Sequence, residues 1–172
     1  MLIGDRGRED RARQAARRSL ERARSIGMDE RRATALERSS KQWLAWLRRG
    51  LAGRPPGEAL SGLWDLLEAW LASDDLQASG LAAAMAGLAG NGGEATRAAI
   101  AAHRRALREF LEDLAEAAGA SDPAALAAQL HLLLEGAVVG ALIDRHAGVA
   151  RHARELAEIA VAGSAPRTRR PR

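Results

Sequence analysis

EATRAAIAAHRRALREFLEDLAEAAGASDPAALAAQLHLLLEGAVVGALIDR, residues 94–145, decides the fold. In its first half Ile100, His103, Leu107, Phe110, Leu111, Leu114 and Ala118 recur at steps of three and four, the spacing of one helix face. Arg104, Arg105, Arg108, Glu112, Asp113 and Glu116 fill the opposite side, so a helix over about 94–118 is predicted. Gly119 ends it. Ser121-Asp122-Pro123 restarts the chain, with Asp122 as N-cap and Pro123 at the first helical position. The helix that follows, to about 145, has a different character. Leu130, Leu132, Leu133, Leu134, Val138, Val139, Leu142 and Ile143 spread around much of its circumference. A helix apolar on more than one side must be covered on more than one side. One cover is its own bundle, and the other is expected to be a partner chain. Gly136 and Gly140 leave a shallow strip along it where a second helix can approach.

Working outward, the same period persists. Val149, His152, Ala153, Leu156, Ile159 and Ala160 predict a last helix over about 148–162, stopped by Gly163 and Pro166. Leu60, Leu63, Trp64, Leu67 and Leu71 predict another over about 57–72, after the turn Arg54-Pro55-Pro56-Gly57. Residues 76–89 are small and apolar, with Gly80 and Gly87 inside, and read as a weak helix before the loop Gly90-Asn91-Gly92-Gly93. Upstream, Leu36, Trp43, Leu44 and Leu47 predict a helix that starts at Asp29 as N-cap and runs to Gly50 or Gly53. Residues 8–25 read as a separate basic helix with a thin stripe of Ala12, Ala16, Leu20 and Ala23, broken at Gly27. The expectation is an all-α bundle of about six to eight helices.

Composition agrees. Hydrophobic residues are 47% and charged residues 28%, which places the chain among globular and not disordered sequences. Ala, Leu and Arg, all strong helix formers, dominate, and β-branched residues are too scarce for an all-β fold. Cysteine is absent, which excludes disulfides, thiolate metal sites and a cysteine nucleophile. No stretch of about 18 apolar residues runs without a charge, so no membrane span is expected. The opening MLIGDRGRED is too polar for a signal peptide, and a cytoplasmic setting is expected.

Charge is distributed unevenly. Residues 1–40 hold eleven Arg against seven acids, residues 41–166 eleven bases against fifteen acids, and residues 167–172 four Arg against none. The body is therefore mildly acidic between basic ends. Basic ends of this kind either are solvated or meet an anionic partner.

From Trp43 to Gly163 the chain resembles the C-terminal effector-binding and dimerisation domain of TetR-family transcriptional regulators. The stretches that carry the likeness are ERSSKQWLAWLRRGLAG, LWDLLEAWLAS, AAHRRALREFLEDLAEAAGASDPAALAAQLHLLLEGAVVGALI and ARELAEIAVAG. The likeness is one of order and spacing, since this domain is the variable part of the family. It implies a division into a basic segment 1–28, weakly helical or disordered; a helical effector-binding and dimerisation domain 29–163; and a basic disordered tail 164–172. It further implies a homodimer built by the last two helices, a small apolar effector bound among the middle helices, and DNA as the ultimate partner. The family's helix-turn-helix head, which ends in a Tyr/Phe motif, has no counterpart here: there is no Tyr, and the only Phe is Phe110. A late start or a frame change is the favoured explanation, a naturally headless relative the other. DNA-contacting residues are therefore unknown.

Under that resemblance the effector site is expected among Trp43, Trp46, Trp64, Trp70, Met85, His103 and Phe110, where large aromatics meet small residues. The pairing surface is expected at Leu126, Leu130, Leu133, Gly136, Ala137, Gly140, Leu156, Ile159 and Ala160. Catalysis is not expected. The four His, at 103, 131, 146 and 152, lack zinc spacing, no phosphate loop follows a strand, and no Ser has a His/Asp partnership. No metal or cofactor is expected. Two other functions fit the residues. One is a helical interaction protein that heterodimerises with full-length relatives. The other is a basic nucleic-acid-binding protein that uses residues 6–32.

Overall fold

The computed structural model describes residues 6–74, 76, 80–85, 92–144 and 148–165. Among them the chain is all helical, with six helices: α1 Arg6–Leu51, α2 Pro56–Leu71, α3 Gly80–Met85, α4 Glu94–Ala117, α5 Pro123–Asp144 and α6 Val149–Gly163. The bundle expected from periodicity is the observed architecture. α1 packs on α4, α4 on α5, α5 on α6, α6 on α2, and α2 on α1, so five helices close a ring. Leu47, Leu63, Leu67, Leu107, Leu130 and Leu134 meet inside it, fully buried. The short α3 lies against α1 and α5.

The largest departure from expectation is at the N-terminal end. The two helices expected over 8–25 and 29–50 are one continuous helix of 46 residues, about 69 Å long at 1.5 Å per residue. Gly27 does not break it. A single helix-interior glycine costs only about 1 kcal/mol against Ala, and the residues on both sides are good helix formers with no Pro among them. The division at residue 28 therefore falls in mid-helix. Asp29 is not the N-cap of α1; its carboxylate caps α4 instead. α1 ends where Gly53 takes φ 76°, and α4 ends before Gly119 at φ 79°, both left-handed positions that favour glycine. Asp122 caps α5 as expected, its Oδ1 accepting from the Ala125 N–H at 3.0 Å.

α5 is long and apolar enough to cross a membrane, by length and composition. It nevertheless packs between α4 and α6 and carries Glu135, which accepts a hydrogen bond from Arg104 of α4 at 2.8 Å. One side of α5 is thus a core face of the bundle. A second cross-helix tie joins α6 to α2, where Arg154 donates to Asp65 at 2.6 Å. Of the tail expected to be disordered from 164, only Ser164 and Ala165 are among the described residues.

Candidate functional site

Four of the seven expected effector residues come together near the C-terminal half of α1. Ser39, Gln42, Trp43 and Trp46 follow one another along one strip of that helix, facing Ala69, Trp70 and Ser73 of α2 and Leu81 of α3. Together they line a groove of about 430 Å³. Its described walls are mainly indole and methyl surface, with two hydroxyls and one amide and no charged side chain. The Trp43 and Trp70 rings lie 5.3 Å apart and tilted by 55°. Ser73 Oγ donates to the Trp70 carbonyl at 2.7 Å, which leaves its lone pairs available.

Trp43 is also the wall between this groove and a buried polar cluster. Its ring meets His103 edge-on at 5.8 Å. His103 Nδ1 and Ser40 Oγ share a hydrogen bond of 2.8 Å, and both residues are buried. Across from α4, His131 of α5 is also buried, with Nε2 3.3 Å from Glu135 Oε1 but out of line for a hydrogen bond. Burial, reinforced by His131 and Arg104, pushes the His103 imidazole down to about 4. Burial likewise lowers His131, against the opposing pull of Glu135. Both rings are thus neutral at pH 7, and the cation that answers Glu135 is Arg104.

The buried side-chain polar atoms that find no hydrogen-bond partner among the described residues are Trp43 Nε1, His103 Nε2, His131 Nε2 and Glu135 Oε1. These four atoms belong to this one cluster. Buried polar groups are nearly always paired, so a concentration of unpaired ones marks a place where a polar group from water or ligand would be held. Among the described residues no group of three or more His, Asp or Glu is placed to hold a metal ion.

The other three expected effector residues lie elsewhere. Trp64 is 2% exposed, part of the α2 core face. Met85 and Phe110 are also core residues, and Phe110 carries the Arg48 guanidinium 5.3 Å over its ring. Periodicity places such residues on a buried face and is silent on whether that face meets a neighbour or a gap. The residues missed on α1, Ser39 and Gln42, stand four before Trp43 and four before Trp46, where helical spacing alone puts them on the Trp43/Trp46 strip.

The expected pairing surface divides in the same way. Leu126, Leu130 and Ala137 are buried in their own chain and cannot meet another. Gly140 serves an intrachain contact, since a Cβ there would stand 2.9 Å from Val149 Cγ1 of α6. Leu133 and Ala160 are partly buried against the core. Gly136, Leu156 and Ile159 are exposed, Ile159 by 69%. Leu132 and Ile143, which were not in the expected set, are exposed by 68% and 62%. Leu132, Gly136, Val139 and Ile143 stand four, three and four apart, a second stripe on α5 opposite the core stripe Leu126, Leu130, Leu134, Ala137 and Ala141. On α6, His152, Leu156, Ile159 and Gly163 repeat that spacing and are all exposed.

No family model, no curated protein and no solved structure matches the chain.

Proposed function

We propose that this chain is a small-molecule-sensing, homodimerising regulator module of the TetR type, acting in the cytoplasm. The observation that carries the reading is the pair of outward apolar stripes on consecutive helices: exposed Leu132, Gly136 and Ile143 with half-buried Val139 on α5, and exposed Leu156 and Ile159 on α6. Large exposed apolar side chains gathered on two packed helices favour a self-complementary interface. The groove at Trp43, Trp46 and Trp70 supplies the sensing half. Its uncharged, mainly apolar walls suit a small, flat, neutral effector. α1 and α2 both line the groove, and α2 also packs on α6. An effector that prefers one packing of α1 against α2 would bias the pairing helices by that difference in affinity. The test is analytical ultracentrifugation combined with thermal-shift screening of apolar compounds. A dimer at micromolar concentration that gains stability from a groove ligand is expected; a monomer under those conditions overturns the reading.

A further inference from the structure

A different surface carries a different inference. Arg17, Arg24, Arg31 and Arg38 recur every seven residues along α1, all exposed. Seven residues are close to two helical turns, so these guanidinium groups form one rail, with steps of about 10.5 Å and a span of about 31 Å. Arg18 stands a little over a quarter of a turn round the helix from it and Arg22 nearly half a turn. None of these arginines is in an ion pair, although Arg54, Arg104 and Arg154 in the body all are. Residues 17–38 hold seven Arg against four acids, and of these acids Asp29 is engaged with α4. From Arg17 to Met28 every residue but Gly27 is exposed, so this part of α1 stands clear of the bundle as a rod. Its exposed Leu20, Ile26 and Met28 fall on different faces, leaving no apolar side to lie in a membrane.

We propose that this rail is a contact surface for the phosphate backbone of double-stranded DNA. The major groove admits an α-helix, and a rod with cations on two flanks faces the phosphates on both walls. The contact is sequence-independent, because phosphates position a protein and bases specify it. It does not rest on the effector reading: the rail would bind whether or not the groove holds a ligand.

The experiment is fluorescence anisotropy of a labelled 24-base-pair duplex of mixed sequence with the full chain, from 50 to 200 mM NaCl. Binding is expected at 50 mM, with log K falling against log salt at a slope of about −4 for four phosphate contacts. Replacing Arg17, Arg24, Arg31 and Arg38 together by Gln should weaken binding at least about tenfold and flatten the slope, with each single change removing about one unit. The double variant R17Q/R24Q touches only the clear part of the rod and keeps the test open if the fourfold variant misfolds. Absence of binding at 50 mM overturns the proposal, and so does a fourfold variant that is folded by circular dichroism and binds as the parent does. Binding to poly-glutamate, or to vesicles of phosphatidylcholine and phosphatidylserine at 7:3, as tight as to the duplex at equal salt would also overturn the assignment to DNA.

Discussion

Asp29 and Thr96 are 67 residues apart and share one carboxylate oxygen, Oδ1, which accepts from both the Thr96 hydroxyl and its N–H; Oδ2 accepts from the Ala95 N–H at 2.9 Å. A residue in the middle of α1 thereby satisfies the orphan donors at the start of α4. The N-cap of α4 is Gly93, which has no side chain to do so. A Cβ on Gly93 would collide with the Asp29 carboxylate, so the missing side chain at one position and the long-range cap at the other are two halves of one arrangement.

Two substitutions follow from that geometry. Asp29→Ala should lower Tm by removing the cap. Gly93→Ala should lower it by pushing the carboxylate off its donors. Because both act on the same contact, Gly93→Ala should cost much less in the Asp29→Ala background than in the parent. Thermal unfolding of the four proteins checks this, and additive losses would contradict it. The Thr96 hydroxyl, then the backbone N–H donors, hold Asp29 below its ordinary 3.8 against the opposing effect of burial. The contribution of the cap is therefore complete above the unfolded-state value and is lost as pH falls below it.

The fold was legible in the sequence because helix faces are written in period. Leu107, Leu111 and Leu130 are buried where spacing puts them. Gly27 was misread because one glycine is a weak stop. Asp29 was misread because a capping residue looks the same whether it caps its own helix or a distant one. At the candidate site, Trp43 and Trp46 were legible, whereas Trp64 and Phe110 share their residue type and periodicity and differ only in having close neighbours. On α5 both stripes stand in the sequence, but choosing the outward one needs the position of α4 and α6.

His103 provides a pH test. Its imidazole is held at about 4, against 6.5 for an ordinary His. Between those values the unfolded chain takes up a proton that the native chain refuses. Stability is then highest above pH 6.5, falls as pH drops, and has lost this contribution by pH 4. At 1.36 kcal/mol per pKa unit the loss is about 3 kcal/mol from this residue alone. Urea unfolding at pH 7.0, 5.5 and 4.5 should show the decline. His103→Gln retains a hydrogen-bonding group for Ser40 and should flatten the decline, leaving the part that belongs to His131.

Leu156 and Ile159 test pairing without disturbing the core, because both are more than half exposed. Replacing either by Arg in a two-fold interface places an unpaired charge in each protomer's buried face, and the cost should raise the dimer dissociation constant at least about tenfold. Leu20→Arg is the matched control: Leu20 is 62% exposed but stands on α1, away from both stripes. Light scattering across a dilution series should give monomers for the α6 variants and parental behaviour for the control. A dimer that tolerates both α6 changes would place the interface elsewhere.

The groove can be read by the tryptophans that build it. Three of the four Trp line it, and the fourth, Trp64, is buried in the α2 core face. A neutral flat aromatic such as Nile red should therefore quench most of the indole emission while leaving a residual from Trp64. Trp46, like Trp70, is only half-buried, so Trp46→Ala removes stacking surface with little effect on the core. Edge and face contacts between rings are worth about 0.5–1.5 kcal/mol beyond the area they bury. With the lost apolar area added, Nile red should bind about tenfold or more weakly to the variant. Trp64→Phe should leave that affinity unchanged and remove the unquenched residual. An unchanged titration in Trp46→Ala would mean that the dye sits outside the groove, and the effector site would then have to be sought at the buried cluster of His103, His131 and Glu135.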